Sequence, residues 1–463
     1  MSFSELNKIS ILSLLALFAF SLYFYWVGYK EEIPVYMEIM RILFTAHYFG
    51  LVYVTLRVKL SKEFLYFILF LSFIAISFIL QYWQLYETNT IYGNSRDSYV
   101  YLSLATKYNH YSLLDFWHAV LNQKYLNINV DDLGFTTVMY FISKPFGKDY
   151  IAIANMLILC NGIIYLVGIR CFHKLSEMLL CNNKRAVMAT VLWACFSRLI
   201  TTSASGAKEV FFTAFVIIAM YSIYRYKEQP TWLRLIIAIL LITINYFFRF
   251  AICFALILAL ICIIVTNEQN KRTIVKKAFW VILFTFPILT FILPLVTGGI
   301  TLDHVLWVTG NRMEKVSASS LTKFVFPPCS LLFGPFPNLD RLNSKGFVYA
   351  YSLFLKDFLS IYFLLAFASV IKKYKYKYYP LLVFIFCNML MLIIAGVTLD
   401  IRYHLTYIPF FFLICMLPYE SKWNDYKKYV IYLCICLVIF IYSNRAFIKD
   451  TYQINSNFLN IGR

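Results

Sequence analysis

The sequence predicts an all-α integral membrane protein whose chain crosses the bilayer about 13 times. Of its 463 residues, 61% are hydrophobic and only 14% are charged. The apolar residues gather in continuous runs of roughly 18–22, which is the length that spans a hydrocarbon core. These runs are rich in Leu, Ile and Phe and lack the alternation typical of membrane β-barrels, so we expect helices that satisfy their own backbone hydrogen bonds in lipid.

The predicted helices follow one another along a single integral-membrane domain, residues 1–463. They cover residues 9–27, 36–56, 64–83, 150–169, 187–202, 209–224, 233–248, 251–266, 278–297, 347–370, 379–398, 404–418 and 428–443. The first run is followed by no small-residue cleavage site, so we interpret it as a retained helix and not as a removed signal peptide.

Basic residues indicate how the chain is oriented in the membrane. They gather in alternate connections, at Arg57, Lys59 and Lys62; Arg170, Lys174, Lys184 and Arg185; Arg225, Lys227 and Arg234; Lys271, Arg272, Lys276 and Lys277; Lys372, Lys373, Lys375 and Lys377; and Lys422, Lys427 and Lys428. Because positive residues stay on the cytoplasmic side, we expect a cytoplasmic N-terminus and an outside C-terminus. The net charge of +19 is then mainly a topology signal, and we expect no nucleic-acid partner.

The remaining connections are predicted to lie on the outer face. They are 84–149, 201–209, the turn at Arg249, 298–346 and 399–404. The two longest, 84–149 and 298–346, exceed what a simple connection needs. In the first, apolar and aromatic residues recur at helical spacing between positions 99 and 121, which predicts short amphipathic helices along the membrane surface.

Asp97 is the first candidate for chemistry on this face. A carboxylate just outside a membrane helix can accept a proton from a hydroxyl, or hold Mg²⁺ or Mn²⁺ against a phosphate that Arg96 also contacts. The alternative is a solvated loop residue.

Lys208 and Glu209 follow the small-residue segment TTSASGA at the start of a predicted helix. Free N–H groups and the positive end of the helix dipole suit this position to anions. Glu209 has a cap-like alternative role, whereas a cation such as Lys208 opposes the dipole and is harder to explain as a cap.

Arg249 lies among apolar residues, where a charge is costly unless it reaches water, a partner or an anion. Snorkelling to the interface is the alternative. In the segment 399–404, Arg402 and His404 lie at the outer start of a predicted helix near the C-terminus. The planar guanidinium of an arginine can donate two parallel hydrogen bonds to a phosphate. Here the alternative is a structural pair between Asp400 and Arg402.

The eleven Cys fall mostly inside apolar runs without a CxxC spacing, and the six His form no HExxH. We therefore expect neither disulfides nor a cysteine or histidine metal site. No N-x-Ser/Thr acceptor occurs, which favours a bacterial protein.

The order of these features resembles the GT-C superfamily of integral-membrane glycosyltransferases. Asp97 in SRDSYVYLSLA occupies the place of the family's acid in the first large outer loop. Residues 133–172 and 186–225 resemble its following helices, with Glu209 as the acid that opens the second helix of a pair. IRYHLTYIPFFFL, residues 401–413, is similar to the entry of a late helix.

The resemblance implies a multi-pass glycosyltransferase of the bacterial inner membrane. It would move a sugar or glycan, with inversion, from a polyprenyl-(pyro)phosphate carrier to an acceptor hydroxyl at the outer face during surface-polysaccharide assembly. Other assembly proteins are possible partners. The roles that follow are base or cation holder for Asp97, contact with the carrier or its phosphate for Arg96, Lys208, Glu209, Arg249, Arg402 and His404, and sugar-facing aromatics for Tyr99, Tyr101 and Trp117.

Two other functions stay open at this point. O-antigen or capsule repeat-unit polymerases share the many-helix plan and the carrier chemistry. A lipid-linked oligosaccharide flippase or other transporter is the alternative from another class, although we find neither broken-helix pairs nor comparable halves in the sequence.

Overall fold

The computed structural model describes residues 61–92, 95–123, 130–267, 331–332, parts of 356–370, 377–394 and 401–417. All regular elements in these ranges are helical. They are α1 Lys62–Thr88, α2 Arg96–Lys107, α3 Leu113–Leu121, α4 Val130–Phe146, α5 Tyr150–Leu180, α6 Asn183–Ala194, α7 Ser197–Ala204, α8 Glu209–Glu228, α9 Trp232–Tyr246, α10 Phe250–Asn267, α11 Tyr379–Ile394, α12 Ile401–His404 and α13 Ile408–Cys415. The predicted helices at 9–27, 36–56, 278–297 and 428–443, and nearly all of the loop 298–346, lie outside the described residues.

Four segments in this part of the chain are long and apolar enough to cross a membrane. They are Lys62–Tyr86, Tyr150–Leu180, Asn183–Ala204 and Glu209–Glu228. Three shorter apolar helices accompany them, at Trp232–Tyr246, Phe250–Thr266 and Tyr379–Ile393. The structure thus confirms an all-helical, multi-pass membrane protein, while the number of about 13 spans stays a prediction.

Polar caps set the boundaries of the long helices. The side chain of Ser61 accepts from the backbone of Phe64 before α1, and Asp149 accepts from Ala152 before α5. Each bond satisfies an N–H group that has no partner inside the helix. At their other ends, α1 and α5 stop at residues in the left-handed conformation, Asn89 and Cys181, which lets the last carbonyls find partners.

Several predicted helices are interrupted. The segment predicted at 187–202 is divided into α6 and α7. The one predicted at 404–418 becomes helical as α13 only from Ile408, after the separate short helix α12. Pro409 falls in the first turn of α13, where its missing N–H costs nothing. The predicted division beside Arg249 is confirmed, because α9 ends at Tyr246 and α10 begins at Phe250.

The helices form a bundle with two distinct ends. At one end the Lys62 ammonium pairs with Glu177, and at the other Asn155 donates to the Tyr82 hydroxyl over 3.1 Å. α1 and α5 are therefore antiparallel neighbours. We call the first the basic end, which also holds Arg225, Arg234 and Lys377; the second, where Asp97, Asp132, Lys208, Glu209, Arg249 and Arg402 lie, is the site end.

The predicted outer segment 84–149 folds into three helices against the site end. α2 packs along α4, and α3 buries Phe116, which stacks on Tyr140 of α4 with 4.4 Å between the ring centroids. The expectation of short helices here is confirmed by α2 and α3. The helix α4 was not among the predicted elements, because its apolar residues are interrupted by polar ones.

Two glycines allow close contacts at the site end. Gly134 of α4 donates its N–H to the carbonyl of Phe247 over 2.9 Å, and a side chain there would collide with this carbonyl and with Phe248. Gly206 has φ of +65° in the turn between α7 and α8, and a Cβ would overlap the ring of Tyr92. Both positions require the absence of a side chain.

Candidate functional site

Charged residues from five separate segments meet at the site end. Asp97 stands in the first turn of α2, where the helix dipole favours an acid. Its Oδ2 lies 3.7 Å from Nη1 of Arg402 in α12, and the carboxylate side chain is 67% exposed. The Asp97 carboxylate is accessible to a substrate and adjacent to the Arg402 guanidinium. It can therefore accept a proton from a substrate while an anion binds to the guanidinium.

A second group lies deeper, between α2, α4 and the start of α8. The Lys208 ammonium pairs with the Asp132 carboxylate, and both side chains are nearly buried. The Tyr101 hydroxyl donates to the same carboxylate oxygen over 2.6 Å. Burial and then the Asp132 carboxylate raise the pKa of Tyr101 well above its usual range, so that its hydroxyl stays protonated.

Arg249 lies in the break between α9 and α10. Its guanidinium carbon is 4.1 Å from the ring centroid of Tyr403 and 5.0 Å from that of Phe212. Two aromatic faces thus hold the cation in place. Its Nη1 is buried and has no hydrogen-bond partner among the described residues. This N–H group is therefore available to donate a hydrogen bond to an anion.

Glu209 occupies the first turn of α8 and is 5% exposed. Its Oε2 is buried, and no donor in the described ranges bonds to it. Among the described residues, no backbone N–H donates to this oxygen, so Oε2 does not cap the helix as the sequence had suggested for Glu209. An unpartnered buried carboxylate oxygen is costly and needs an explanation.

His404 is fully buried beneath this cluster. Its Nδ1 lies 2.9 Å from the Tyr407 hydroxyl, which donates to the carbonyl of Leu331. This bonding supports the connection between α12 and α13, and the predicted contact between His404 and a carrier stays a prediction.

The aromatics expected to face a sugar are held in packed contacts. The Tyr99 hydroxyl accepts from the backbone N–H of Tyr92, and the Trp117 indole donates to Thr137 over 2.8 Å. Tyr101 is 6% exposed. Their sugar-facing role stays a prediction.

The structure therefore places Asp97, Arg402, Arg249, Lys208 and Glu209 at the same end of the bundle. It adds Asp132, which the spacing along the chain did not rank, and it bonds Tyr101, predicted to face a sugar, to the Asp132 carboxylate. The Arg96 side chain and Asp400 lie outside the described parts. In hindsight, the polar interruption at 131–132 before an apolar stretch was the available signal for Asp132.

The described residues contain no group of three Asp, Glu, His or Cys side chains that could hold a metal ion. The Mg²⁺ or Mn²⁺ considered above stays a prediction, and no step proposed below depends on it.

Residues 138–296 match the family model described as dolichyl-phosphate-mannose-protein mannosyltransferase, which is a GT-C superfamily glycosyltransferase domain. The match includes Lys208, Glu209 and Arg249, whereas Asp97 and Arg402 lie on either side of it. No curated protein and no solved structure matches the chain. The predicted resemblance to the GT-C superfamily is thus confirmed over these residues.

Proposed function

We propose that the protein is a membrane glycosyltransferase that transfers a sugar from a polyprenyl-phosphate-linked donor to an acceptor hydroxyl. The single observation that carries the proposal is the buried Nη1 of Arg249, which has no hydrogen-bond partner among the described residues, on an arginine that contacts the same ring, Tyr403, as Arg402 does. Two arginines around one ring at the end of the bundle suit a lipid-linked phosphate. The family match over residues 138–296 supports the same chemistry.

In the proposed reaction the acceptor oxygen attacks the anomeric carbon and gives its proton to the Asp97 carboxylate. The bond from that carbon to the phosphate oxygen breaks, and the phosphate leaves with the electron pair. Arg249 and Arg402 stabilise the charge that develops on the leaving phosphate, which is a large contribution in a partly dehydrated site. A direct displacement of this kind inverts the anomeric centre.

The Asp97 and Arg402 contact gives the order of events. Before the donor binds, Arg402 lies within 3.7 Å of Asp97. When Arg402 turns to the phosphate, the Asp97 carboxylate gives up this contact and faces the acceptor hydroxyl. Binding of the sugar donor thus frees the base for the acceptor.

The finer proposal is a bacterial inner-membrane enzyme of surface-polysaccharide assembly, with the site end at the outer face. The basic end is then cytoplasmic, as the positive-inside rule requires. The acceptor would be a growing lipid-linked glycan, and assembly proteins that supply or consume it would be partners.

Mass spectrometry of the lipid-linked oligosaccharides that accumulate after gene deletion tests this function. An impermeant glycan-modifying enzyme reports on which side of the membrane they lie. We expect an intermediate that lacks one sugar and is exposed on the outer face. A complete repeat unit on the outer face would indicate a polymerase, whereas a complete unit trapped inside would indicate a flippase and refute transfer.

A further inference from the structure

Glu209 differs from the other two acids of the site end in what surrounds its carboxylate. Asp97 lies beside Arg402, and Asp132 is bonded by Lys208 and Tyr101. Glu209 is more buried than Asp97, yet its Oε2 has no donor among the described residues. The reaction proposed above does not use this oxygen.

The chemistry of a carboxylate limits what can bind there. An ionised carboxylate only accepts hydrogen bonds, so any group other than a cation that completes it must bring hydrogen-bond donors. A phosphate brings none and would be repelled by the like charge. The isoprenoid chain of a carrier brings none either. Sugar hydroxyls are donors, and carboxylates accept from them readily.

The position of Glu209 relative to Arg249 strengthens this argument. Glu209 and Phe212 are three residues apart on α8 and therefore share a face of the helix. Arg249 packs on Phe212 and presents the unpartnered donor Nη1. The Glu209 acceptor and the Arg249 donor, neither of which has a partner among the described residues, thus lie toward the same face of α8. A sugar attached to a phosphate would supply the missing hydrogen-bond partners of both residues, with its hydroxyls donating to Glu209 and its phosphate accepting from Arg249.

We propose that Glu209 is a specificity-determining residue that recognises the transferred sugar, its carboxylate accepting hydrogen bonds from hydroxyls of the sugar on the donor phosphate. This inference rests on the proposed function. It replaces the contact between Glu209 and the carrier phosphate that the sequence suggested.

Binding of paired lipid probes to the full-length protein in nanodiscs tests the proposal. The probes are a C15 polyprenyl phosphate and the same lipid carrying mannose, glucose, galactose or N-acetylglucosamine. The wild-type protein should bind at least one glycosylated probe about tenfold more tightly than the bare phosphate, since hydrogen bonds to a charged group are strong. Glu209→Gln should lose this gain and bind the bare phosphate as the wild type does.

Glu228→Gln, at the other end of the same helix, is the matched control and should keep the gain. Thermal unfolding gives a second measurement. Because Glu209→Gln removes a buried charge whose Oε2 has no partner among the described residues, its unfolding temperature without ligand should be equal to or above that of the wild type. A lower temperature, together with equally weakened binding of both probe types, would show a structural role and overturn the inference.

Two further outcomes separate this inference from the proposed function. If the wild-type protein binds the bare phosphate and every glycosylated probe equally, recognition of the sugar by Glu209 is refuted while phosphate binding stands. If it binds none of the probes, the proposed function itself fails, and the inference fails with it.

Discussion

The two ends of the helix bundle use charge in opposite ways. At the basic end, Lys62 and Glu177 pair with side chains 45% and 31% exposed, and Arg225 lies 3.3 Å from Glu228, also in an exposed pair. At the site end, Lys208 and Asp132 are nearly buried, and Arg249 and Glu209 each keep a buried polar atom that finds no partner in the described part of the chain.

This difference separates charge that orients a membrane protein from charge that performs chemistry. Exposed pairs at the basic end interact through water and contribute little stability. Buried groups at the site end interact strongly because water does not screen them, and leaving them incomplete is costly. At the site end, the buried charged atoms that lack partners among the described residues therefore indicate a ligand better than the number of charges does.

Asp97→Asn should produce the largest effect on activity. Without a base the transfer rate should fall about 10²–10⁴-fold, while membrane insertion is unchanged. Transfer from a lipid-linked donor in membrane vesicles measures this. Asp149→Asn is the control, because Asp149 is exposed at the same end and Asn is an equally good cap for α5. Near-normal transfer by Asp97→Asn would remove Asp97 from the mechanism.

The buried pair of Lys208 and Asp132 should give the largest effect on stability. Lys208→Met or Asp132→Asn alone leaves one buried charge uncompensated, at a cost of about 3–5 kcal/mol. The double variant should cost clearly less than the sum of the two. Thermal unfolding of the four proteins in detergent measures the coupling, and strictly additive losses would contradict a direct interaction.

Arg249→Gln should have an intermediate effect. Because it removes a charged hydrogen bond to the donor phosphate, the KM for the donor should rise roughly 10- to 100-fold. Arg234→Gln, which loses a 2.9 Å bond to the carbonyl of Arg225 at the basic end, is the control and should leave KM unchanged. Equal changes in both variants would argue against a phosphate contact.

The smallest effect should come from the exposed pair at the basic end. Lys62→Gln and Glu177→Gln should each change the free energy of unfolding by about 0–1 kcal/mol and leave transfer intact. Unfolding at low and high salt measures this. A loss as large as that of Lys208→Met would contradict the contrast between the two ends.

Much of the fold could be predicted from the sequence because membrane-spanning helices are recognisable as long apolar runs. The division between two helices beside Arg249 could also be predicted from these runs. The location of Asp97, Arg249 and Arg402 at one end of the bundle could be predicted because the basic residues assign alternate connections to opposite sides of the membrane. The breaks within 187–202 and 404–418 were not predicted, because the apolar pattern continues across them.

The partners inside the site could not be predicted. Tyr101 and Asp132 are 31 residues apart, and Asp132 and Lys208 are 76 apart. Such pairings depend on how α2, α4 and α8 pack, which no local pattern encodes. For the same reason, the sequence suggested Glu209 as a charge near an anion and could not reveal its unpartnered oxygen.

The hydrogen bond from Gly134 to Phe247 connects two parts of the site through the backbone. It joins α4, which carries Asp132 near its start, to the short segment between α9 and α10 that carries Arg249. A displacement of α4 would therefore act on the backbone beside Arg249 directly. We expect the position of Arg249 to be coupled to that of Asp132 and of its partner Lys208.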